Sequence, residues 1–407
     1  MRNVARTLTI FYIISLISIN IPLTGVAGSV VRIFGLISLG AWVASLMETK
    51  RMRRFTTTHV MFLLFAGLYA FSLLWTVNSG ATEDAAYRQA LMVGAMVLIY
   101  DLFAENERTA AVCTQAGVIG CTIVSLWTIY NSMIGKVYFD RARFAADGLH
   151  PNSSAFIAIV GIPLAWGLLT QRTTPWKILI PFNAGYIFIA IYALILTGSR
   201  GGVLEAIPVL LWAMYMLGKT KFGPVLVAAV LFAGSIFAGT NETVKTNLAR
   251  VTDFGQLQKD RGSGREDLWK EAIGQFEDNP LIGAGAGAFR VEIGTKYAAE
   301  GAGVGAHHAW LETAADLGMV GVILLALTIF SLPIAMLKAR PGLKSTLLVA
   351  WSPLAIIMFF EQVQGFQFFW AIFFILMVQT NVASRAQRVP VRQPEPTGVP
   401  ASSFART

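Results

Sequence analysis

Long apolar stretches separated by short polar segments make up most of the chain. Twelve of them have about the length that an α-helix needs to cross the hydrocarbon core of a bilayer. These predicted spans cover residues 8–24, 29–47, 58–76, 85–103, 109–134, 152–170, 177–197, 202–218, 222–239, 309–336, 345–362 and 366–383. Because every backbone polar group inside lipid must be satisfied within the segment, each stretch is predicted to be helical. The pattern therefore predicts an all-α polytopic membrane protein with about 12 transmembrane helices.

Composition supports this class and excludes several others. Of the 407 residues, 55% are hydrophobic and only 14% are charged, which is too little charge to cover a soluble domain of this length. The net charge of +9 is explained by cationic loops, and no basic helix with interleaved aromatic residues indicates nucleic-acid binding. Cys113 and Cys121 share one stretch, about two helical turns apart, which is too far for a disulfide. No Cys/His spacing indicates a metal site, so we expect no metal and no cofactor.

The loops between the predicted spans indicate the orientation. An even number of spans places both termini on one side, and Arg2 and Arg6 assign that side to the cytoplasm. Read alone, this cationic start followed by an apolar run is also compatible with a secretory signal, but the topology closes when it is an uncleaved first span. Loops after the even-numbered spans are cationic, as expected. The exception follows span four, where the loop with Asp101, Glu105 and Glu107 is net acidic.

This topology divides the chain into four parts. Residues 1–239 hold the first nine spans, residues 240–308 form one large loop domain outside the cytoplasm, and residues 309–383 hold the last three spans. Residues 384–407 are rich in proline and polar residues, which predicts a disordered cytoplasmic tail. The large loop contains a predicted amphipathic helix at 264–278, lying on the membrane surface or against the bundle. Its apolar stripe comprises Leu268, Trp269, Ile273 and Phe276.

Cationic side chains collect on the side where topology rules predict few of them. They are Arg141, Arg143, Arg200, Arg250, Arg261, Arg265, Arg290, His150, His307 and His308. Fixed positive charge where charge is disfavoured indicates a site for an anion. Arg200 lies in a Gly-Ser-Arg-Gly-Gly turn before a helix, and Arg261 and Arg265 flank another glycine-rich turn, so backbone N–H groups can add to guanidinium groups in binding phosphate. The alternatives are a snorkelling arginine at position 200 and solvated loop charges at the other two.

Two further segments contribute candidates. Arg143 lies in the loop before span six and is a third possible phosphate contact, while Asn152, Ser153 or Ser154 is expected to cap the following helix. His307 and His308 open span ten, where an imidazole can accept a proton near neutral pH. Glu312 follows within five residues and is close enough to orient an imidazole. The alternative is a pair of interfacial histidines beside Trp310.

Taken together, these residues resemble the O-antigen ligase and polymerase superfamily of bacterial inner-membrane glycosyltransferases, over about residues 135–335. His307 is followed after ten residues by Gly318 and then by Gly321, which is similar to the signature of that family. The turn at 197–202 and the Asn-Pro-Leu-Ile-Gly-Ala-Gly run at 279–285 are similar to two other family segments. The family usually has Asn, Ser or Gln after the signature histidine, where this chain has His308. Spacing favours His307 as the base, with His308 as second choice.

The resemblance implies a GT-C-like fold and an inverting, metal-independent glycosyl transfer in the bacterial inner membrane, with the active site facing the periplasm. The implied donor is a glycan on undecaprenyl pyrophosphate, and the implied acceptor of a ligase is a sugar hydroxyl of lipid A–core. Fixed guanidinium groups can stabilise the departing pyrophosphate. Arg200 and Arg265 are the best candidates for this role, followed by Arg143 and Arg261. His307 would accept the proton of the acceptor.

Other functions remain open from the sequence. An O-antigen polymerase uses the same donor with a lipid-linked glycan as acceptor, but polymerases often have two large external loops and this chain has one. An O-linked protein oligosaccharyltransferase of the same superfamily is a further alternative. A lipid or small-molecule transporter usually places ionisable groups and broken helices at the midplane of the membrane. Here the ionisable groups lie near one interface, which favours an enzyme.

Overall fold

The structure is a computed structural model that describes residues 1–18, 30–138, 143–221, 242–252, 265–297 and 304–386. The prediction of an all-helical fold is confirmed for these residues. The helices are α1 (Arg2–Ser18), α2 (Val30–Thr49), α3 (Thr57–Phe71), α4 (Ser79–Phe103), α5 (Glu107–Met133), α6 (Pro151–Thr170), α7 (Leu179–Thr197), α8 (Arg200–Gly218), α9 (Glu242–Thr252), α10 (Arg265–Asp278), α11 (Ala288–Glu292), α12 (Ala309–Met336), α13 (Pro341–Ile357) and α14 (Gln367–Ala386).

The chain is a multi-pass membrane protein. Within the described ranges, nine helices are long and apolar enough to cross a bilayer, namely α2 to α8, α12 and α14, with α3 extended by a short 3₁₀ turn. Predicted spans one and eleven correspond to α1 and α13, which have 17 residues each. Predicted span nine, at 222–239, and residues 387–407 of the predicted tail lie outside the described residues. Residues 384–386 of that tail belong to α14. The structure thus supports nine candidate spans, and the total of twelve stays a prediction.

The helices differ in how much of their surface the protein itself covers. The most apolar windows of α6 and α14 are 78% buried, whereas that of α2 is 17% buried. Since lipid, not protein, covers the rest of a spanning helix, α6 and α14 form the centre of the bundle and α2 lies at its edge. Cys113 and Cys121 are both free and buried in α5.

Arginine and carboxylate side chains tie several helix ends together on what we call the N-terminal face, the face that carries Arg2, Arg6 and Asp101. Arg2 Nη2 lies 3.3 Å from Asp101 Oδ2, and the backbone N–H of Arg53 donates to Asp101 Oδ1 at 2.8 Å. Glu105 forms ion pairs with Arg2, Arg6 and Arg53. The acidic loop after α4 therefore lies among the cationic loops of this face and neutralises part of their charge.

The opposite face is built by the glycine-rich segment 283–287 and a break in α12. Gly318 has φ 62° and ψ −163°, a conformation open only to glycine. The amides of Ala284 and Gly285 donate to the carbonyls of Ala315 and Asp316 at 3.0 and 2.8 Å, and Met319 N donates to the carbonyl of Pro280 at 2.8 Å. The two segments that resemble family motifs thus bind each other, which aligns the start of α12 with the rest of this face.

Helix α10 packs against this part of α12. Leu268 and Ala272 are buried in a small cluster with Phe289, Ala306 and Ala315, and Trp269 Nε1 donates to the carbonyl of Ala306 at 3.0 Å. Ile273 of the predicted apolar stripe is 44% exposed. Leu268 and Ala272 are one helical turn apart, so the buried stripe runs through Ala272, and Ile273 lies beside it.

Candidate active site

Glu361 is the centre of a polar cluster on the face opposite the N-terminal face. It lies in the loop between α13 and α14, and only 1% of its side chain is exposed. Three nitrogen atoms surround its carboxylate: His150 Nδ1 at 3.1 Å, Asn152 Nδ2 at 2.9 Å and His307 Nδ1 at 3.2 Å. The cluster joins the loop before α6, the loop before α12 and the loop after α13.

The cluster keeps Glu361 ionised. Burial by itself would raise the pKa of this carboxyl, because a charge is disfavoured away from water. Hydrogen bonds from His150 and His307, together with their charge interactions, outweigh burial and hold the pKa of Glu361 well below its ordinary value. A buried anion of this kind requires donors around it, and the two imidazoles and the Asn152 amide supply them.

The backbone holds His307 in an unusual conformation. Its φ of +50° is uncommon for a residue with a side chain and carries a conformational cost. Its N–H lies 3.4 Å from Gln362 Oε1, and its ring lies 5.9 Å from that of His150. Strained residues of this kind are typical of functional sites, where surrounding contacts compensate for the cost.

His307 and His308 make different contacts, so their ring nitrogens differ in whether they can accept a proton. A carboxylate can only accept, so Nδ1 of neutral His307 carries the proton and donates to Glu361, which leaves Nε2 as a base. His308 caps α12, and its Nδ1 accepts from Leu311 N at 3.3 Å. Neutral His308 therefore carries its proton on Nε2 and cannot accept one there. The geometry favours His307 over His308 as the base.

His150 has two competing contacts at one atom. Its Nδ1 lies 3.1 Å from Glu361 Oε1 and 3.2 Å from the backbone N–H of Asn152, and one nitrogen of a neutral ring cannot donate to the first and accept from the second. Hydrogen bonds to an ionised group are the stronger ones, so we assign the proton to Nδ1, directed to Glu361. Burial lowers the pKa of His150, although Glu361 opposes that effect.

Asn152 connects this cluster to two other predicted segments. Its Oδ1 accepts from Arg143 Nη2 at 3.0 Å and from Ser199 Oγ at 2.7 Å, while its Nδ2 donates to Glu361. The expectation that Asn152, Ser153 or Ser154 caps α6 was wrong, because His150 occupies the N-cap position. The side chain of Asn152 is instead used as a bridge, and it brings Arg143 within two hydrogen bonds of the Glu361 carboxylate.

The Gly-Ser-Arg-Gly-Gly turn lies directly beside this bridge. Ser199 caps α8 by accepting from Gly202 N at 3.0 Å, and a Cβ on Gly202 would lie 2.4 Å from Ala155 Cβ. Glycine at this position therefore allows α8 to approach α6 closely. Arg200 is the first residue of α8, and its Nε donates to the carbonyl of Arg250 in α9 at 3.2 Å.

Arg265 begins α10 and lies within electrostatic reach of the cluster. Burial lowers the pKa of its guanidinium, and the charge of Glu361 acts in the opposite direction. The same guanidinium, after burial, contributes to lowering the pKa of His308. Arg261 lies outside the described residues. Of the four predicted phosphate ligands, Arg143, Arg200 and Arg265 are thus described, and all three lie on the face that carries His307.

Glu312 has a different partner from the one expected. Its Oε2 accepts from the backbone N–H of Ala306 at 2.9 Å, and the carboxylate that contacts His307 is Glu361. Glu312 therefore binds the segment before His307, and its charge also interacts with that of the imidazole. Among the residues that the structure describes, no three His, Cys, Asp or Glu side chains are grouped so that they could hold a metal ion.

Sequence reasoning did not single out Glu361 or Asn152 as parts of the site, since these partners are 209 residues apart. One signal was available for Glu361. It is a carboxylate at the end of an apolar stretch, on the same predicted side as His307 and Arg200, and an ionisable group in that position is costly unless it is paired.

Comparison with known proteins agrees with this picture. Residues 185–326 match the family model described as O-antigen ligase. This segment is less than half of the chain and contains Arg200, Arg265, His307, His308 and Glu312. The chain is also 24% identical, over 241 residues, to the exopolysaccharide production protein ExoQ of Rhizobium meliloti (strain 1021). That alignment covers 55% of this chain and 54% of the relative, so the chain spans about half the length of the curated relative that it matches.

Part of the cluster around Glu361 lies outside the segment that matches the family model. Arg143, His150, Asn152 and Glu361 all lie beyond residues 185–326, although hydrogen bonds connect them to His307 and Ser199 inside that segment. The O-antigen ligase-like segment is therefore completed, in this structure, by the loops before α6 and after α13. These two loops supply the buried carboxylate and the second imidazole.

Proposed function

We propose that this protein is an inverting, metal-independent glycosyltransferase that moves a glycan from undecaprenyl pyrophosphate to a sugar hydroxyl. The observation that carries the proposal is the contact between His307 Nδ1 and Glu361 at 3.2 Å. It leaves Nε2 of a conformationally fixed imidazole available as a base, on the face that also carries Arg200 and Arg265. An oriented base next to fixed cations suits a neutral nucleophile and an anionic leaving group.

The proposed step transfers the glycan from the pyrophosphate oxygen to the acceptor oxygen. The acceptor hydroxyl oxygen forms a bond to the anomeric carbon of the donor glycan as the bond from that carbon to the pyrophosphate oxygen breaks. The hydroxyl proton passes to Nε2 of His307, and the electron pair of the broken bond leaves with the pyrophosphate. Attack opposite the leaving group inverts the anomeric configuration. Glu361 stabilises the imidazolium that forms, as a buried carboxylate does for a catalytic histidine.

The arginines have the complementary role in this proposal. The pyrophosphate gains negative charge as the glycosidic bond breaks, and guanidinium groups can bind two phosphate oxygens at once. Arg200 and Arg265 are the proposed ligands, with Arg143 and Arg261 behind them. Arg200 also begins α8, and the positive end of a helix dipole favours an anion near it.

For the acceptor, we propose a sugar hydroxyl of lipid A–core, which makes the protein an O-antigen ligase of the inner membrane with its site facing the periplasm. The family description of residues 185–326 supports this choice. The arginine-rich N-terminal face supports the orientation, because cytoplasmic loops are the cationic ones. A second candidate is a polymerase that adds one lipid-linked glycan to another, which the similarity to an exopolysaccharide production protein favours.

A reconstitution experiment tests these proposals. The purified chain is incubated in detergent with an undecaprenyl-pyrophosphate-linked glycan and lipid A–core, without ATP and with EDTA. A ligase joins the two, a polymerase instead lengthens the lipid-linked glycan, and a transporter forms neither product. His307→Ala should lower the rate of product formation by about 10²–10⁴-fold. If wild-type protein forms no new glycosidic bond with either acceptor, the proposed function is wrong.

A further inference from the structure

A cavity of about 510 Å³ opens beside His150, between the end of α5 and the loop that leads to α6. Its size lies within the range of about 300–1,000 Å³ that is typical of small-molecule sites. The polar side chains that line it are Asn131, Lys136, Tyr138, Asp147 and His150. Val137 also lines it, and 45% of that side chain is exposed. The cavity lies outside the segment that matches the O-antigen ligase family.

The charges of this cavity cancel each other. Lys136 Nζ lies 2.7 Å from Asp147 Oδ2, and Asn131 Nδ2 donates to Asp147 Oδ1 at 2.9 Å. The hydrogen bond from Lys136 is the main reason that the pKa of Asp147 is lowered, so this carboxylate stays ionised near neutral pH. A cavity with one cation and one anion offers no net attraction to a pyrophosphate. It does offer both donors and acceptors, as a ligand rich in hydroxyl groups requires.

The aromatic lining and the position of the cavity also suit a ligand rich in hydroxyl groups. The ring of Tyr138 packs edge-on against His150, with 5.2 Å between the ring centroids. A tyrosine side chain combines an apolar ring surface with a polar hydroxyl group. His150 shares the Glu361 carboxylate with His307, and the two imidazole rings are 5.9 Å apart. A ligand bound here would lie next to the proposed base, while Arg200 and Arg265 remain available for the charged part of the donor.

We infer that this cavity is a subsite for an uncharged, hydroxyl-rich saccharide, bound by Asn131, the Lys136–Asp147 pair and Tyr138. The inference rests on the proposed transfer reaction. Such a saccharide is either the sugar that carries the attacking hydroxyl or the first sugars of the donor glycan. Both present the same hydroxyl chemistry, and the experiment below distinguishes them.

Protection of an introduced thiol tests binding without requiring turnover. Val137→Cys places a single reactive cysteine in the cavity, since both native cysteines are buried. Labelling by a maleimide is measured in the full chain alone, with core oligosaccharide freed from lipid A, and with the lipid-linked donor. We expect one of the two saccharides to slow labelling at least about tenfold at saturation. Protection by the core oligosaccharide identifies an acceptor subsite, and protection by the donor alone identifies a donor-glycan subsite.

A matched pair of substitutions tests the same site through activity. Val137→Trp fills the cavity from an exposed position, and Val77→Trp places the same bulk on the same face at a residue that is 62% exposed and does not line the cavity. In Val137→Trp, the saccharide should lose one or two hydrogen bonds to the cavity. The KM of the saccharide that protects the thiol should therefore rise about tenfold. The KM of the other substrate should stay unchanged, and Val77→Trp should behave like wild type.

The outcomes separate this inference from the proposed function. Failure of wild-type protein to form product contradicts the transfer reaction, whatever the labelling shows. Normal turnover of wild type, with no protection of Val137→Cys by either saccharide and no change of KM in Val137→Trp, overturns only the saccharide subsite. Monodisperse elution and an unchanged melting temperature of both tryptophan variants ensure that a rise in KM does not come from misfolding.

Discussion

Glu361 lies 3.2 Å from Nδ1 of His307, although 54 residues separate the two in the sequence. The contact joins the loop before α12 to the loop after α13 and fixes the ring of a residue whose backbone is already held at a φ of +50°. A carboxylate at Nδ1 determines which nitrogen carries the proton, so it determines which nitrogen can act as a base. The proposed chemistry depends on this pair more than on any single arginine.

The first prediction concerns Glu361→Gln. The amide can donate to Nδ1 of His307 and so place the imidazole proton on Nε2, where it blocks proton acceptance. We expect kcat to fall by about 10²–10⁴-fold, as for loss of general-base catalysis, while the KM of both substrates changes little. Glu361→Asp keeps the charge and is expected to retain more activity than Gln. Equal losses in the two variants, or a loss that appears mainly in KM, would contradict a positioning role.

The second prediction separates the two adjacent histidines. His307→Ala removes the proposed base and should lower the initial rate of glycan transfer by about 10²–10⁴-fold. His308→Asn replaces an N-cap residue by another good N-cap residue, and it should retain most of the activity. His308→Ala is expected to cost about 1 kcal/mol of stability through loss of the cap. If His308→Asn were as inactive as His307→Ala, with both proteins folded, the assignment of His307 as the base would fail.

Sequence patterns predicted the spanning helices well because hydrophobic length is a local property. Predicted spans such as 109–134 and 152–170 differ by only a few residues from α5 and α6. They also predicted that Arg200 and His307 lie on one face, because topology follows from counting spans. They could not predict that Asn152 bridges Glu361, Arg143 and Ser199, since that bridge depends on how α6, α8 and the loop after α13 pack together.

The glycines show the same limit of sequence patterns, which do not identify contacts between distant segments. A glycine such as Gly283 allows the backbone to approach a partner closely, and the structure identifies the partner of Gly283 as the break in α12. A Cβ on Gly283 would lie 2.3 Å from the carbonyl carbon of Asp316. The sequence thus indicated close approach but not the partner, because the two segments meet only after folding.

The third prediction concerns the break in α12 at Gly318. Gly318→Ala forces a side chain into φ 62° and places its Cβ 2.3 Å from the carbonyl carbon of Leu281. Backbone strain alone costs about 1–3 kcal/mol, and the steric contact adds to it, so the melting temperature in detergent should fall markedly. Gly274→Ala is the matched control. Gly274 lies within α10, and a Cβ added there would meet no neighbouring atom within 4 Å, so alanine at this position should stabilise by about 0.5–1 kcal/mol.

The fourth prediction is that acid removes the stability that two buried histidines contribute. Burial lowers the pKa of His150 and of His308 from the ordinary value of 6.5; Glu361 opposes this at His150, and Arg265 adds to it at His308. Between about pH 6.5 and the lower folded pKa, the unfolded chain takes up protons that the folded chain does not. The stability that these rings contribute is therefore complete above about pH 6.5 and is lost as the pH falls.

Melting temperatures at pH 8 and at pH 5.5 test this dependence. Going from pH 8 to pH 5.5 should lower the melting temperature of wild type relative to that of His308→Asn, because one of the two rings is gone in the variant. Glu361 does not contribute to the difference, since its lowered pKa keeps it ionised in both buffers. Its own stabilisation is lost only below about pH 4.3, the value for an unfolded glutamate. An equal change of melting temperature in wild type and in His308→Asn would contradict the prediction.

The last prediction concerns the pyrophosphate of the donor. Arg265 is a better test than Arg200, because Arg200 also holds the carbonyl of Arg250 and its loss would disturb α9. Arg265→Gln should remove a hydrogen bond to a charged group, worth about 1.5–3 kcal/mol, so inhibition by inorganic pyrophosphate should weaken by about 10–100-fold. Arg340→Gln makes the same substitution on the N-terminal face, where Arg340 pairs with Glu107 and Gln171, and should leave inhibition unchanged. Equal inhibition of Arg265→Gln and wild type would show that Arg265 does not contact the leaving group, and the proposed anion site would then have to be built from Arg143 and Arg200.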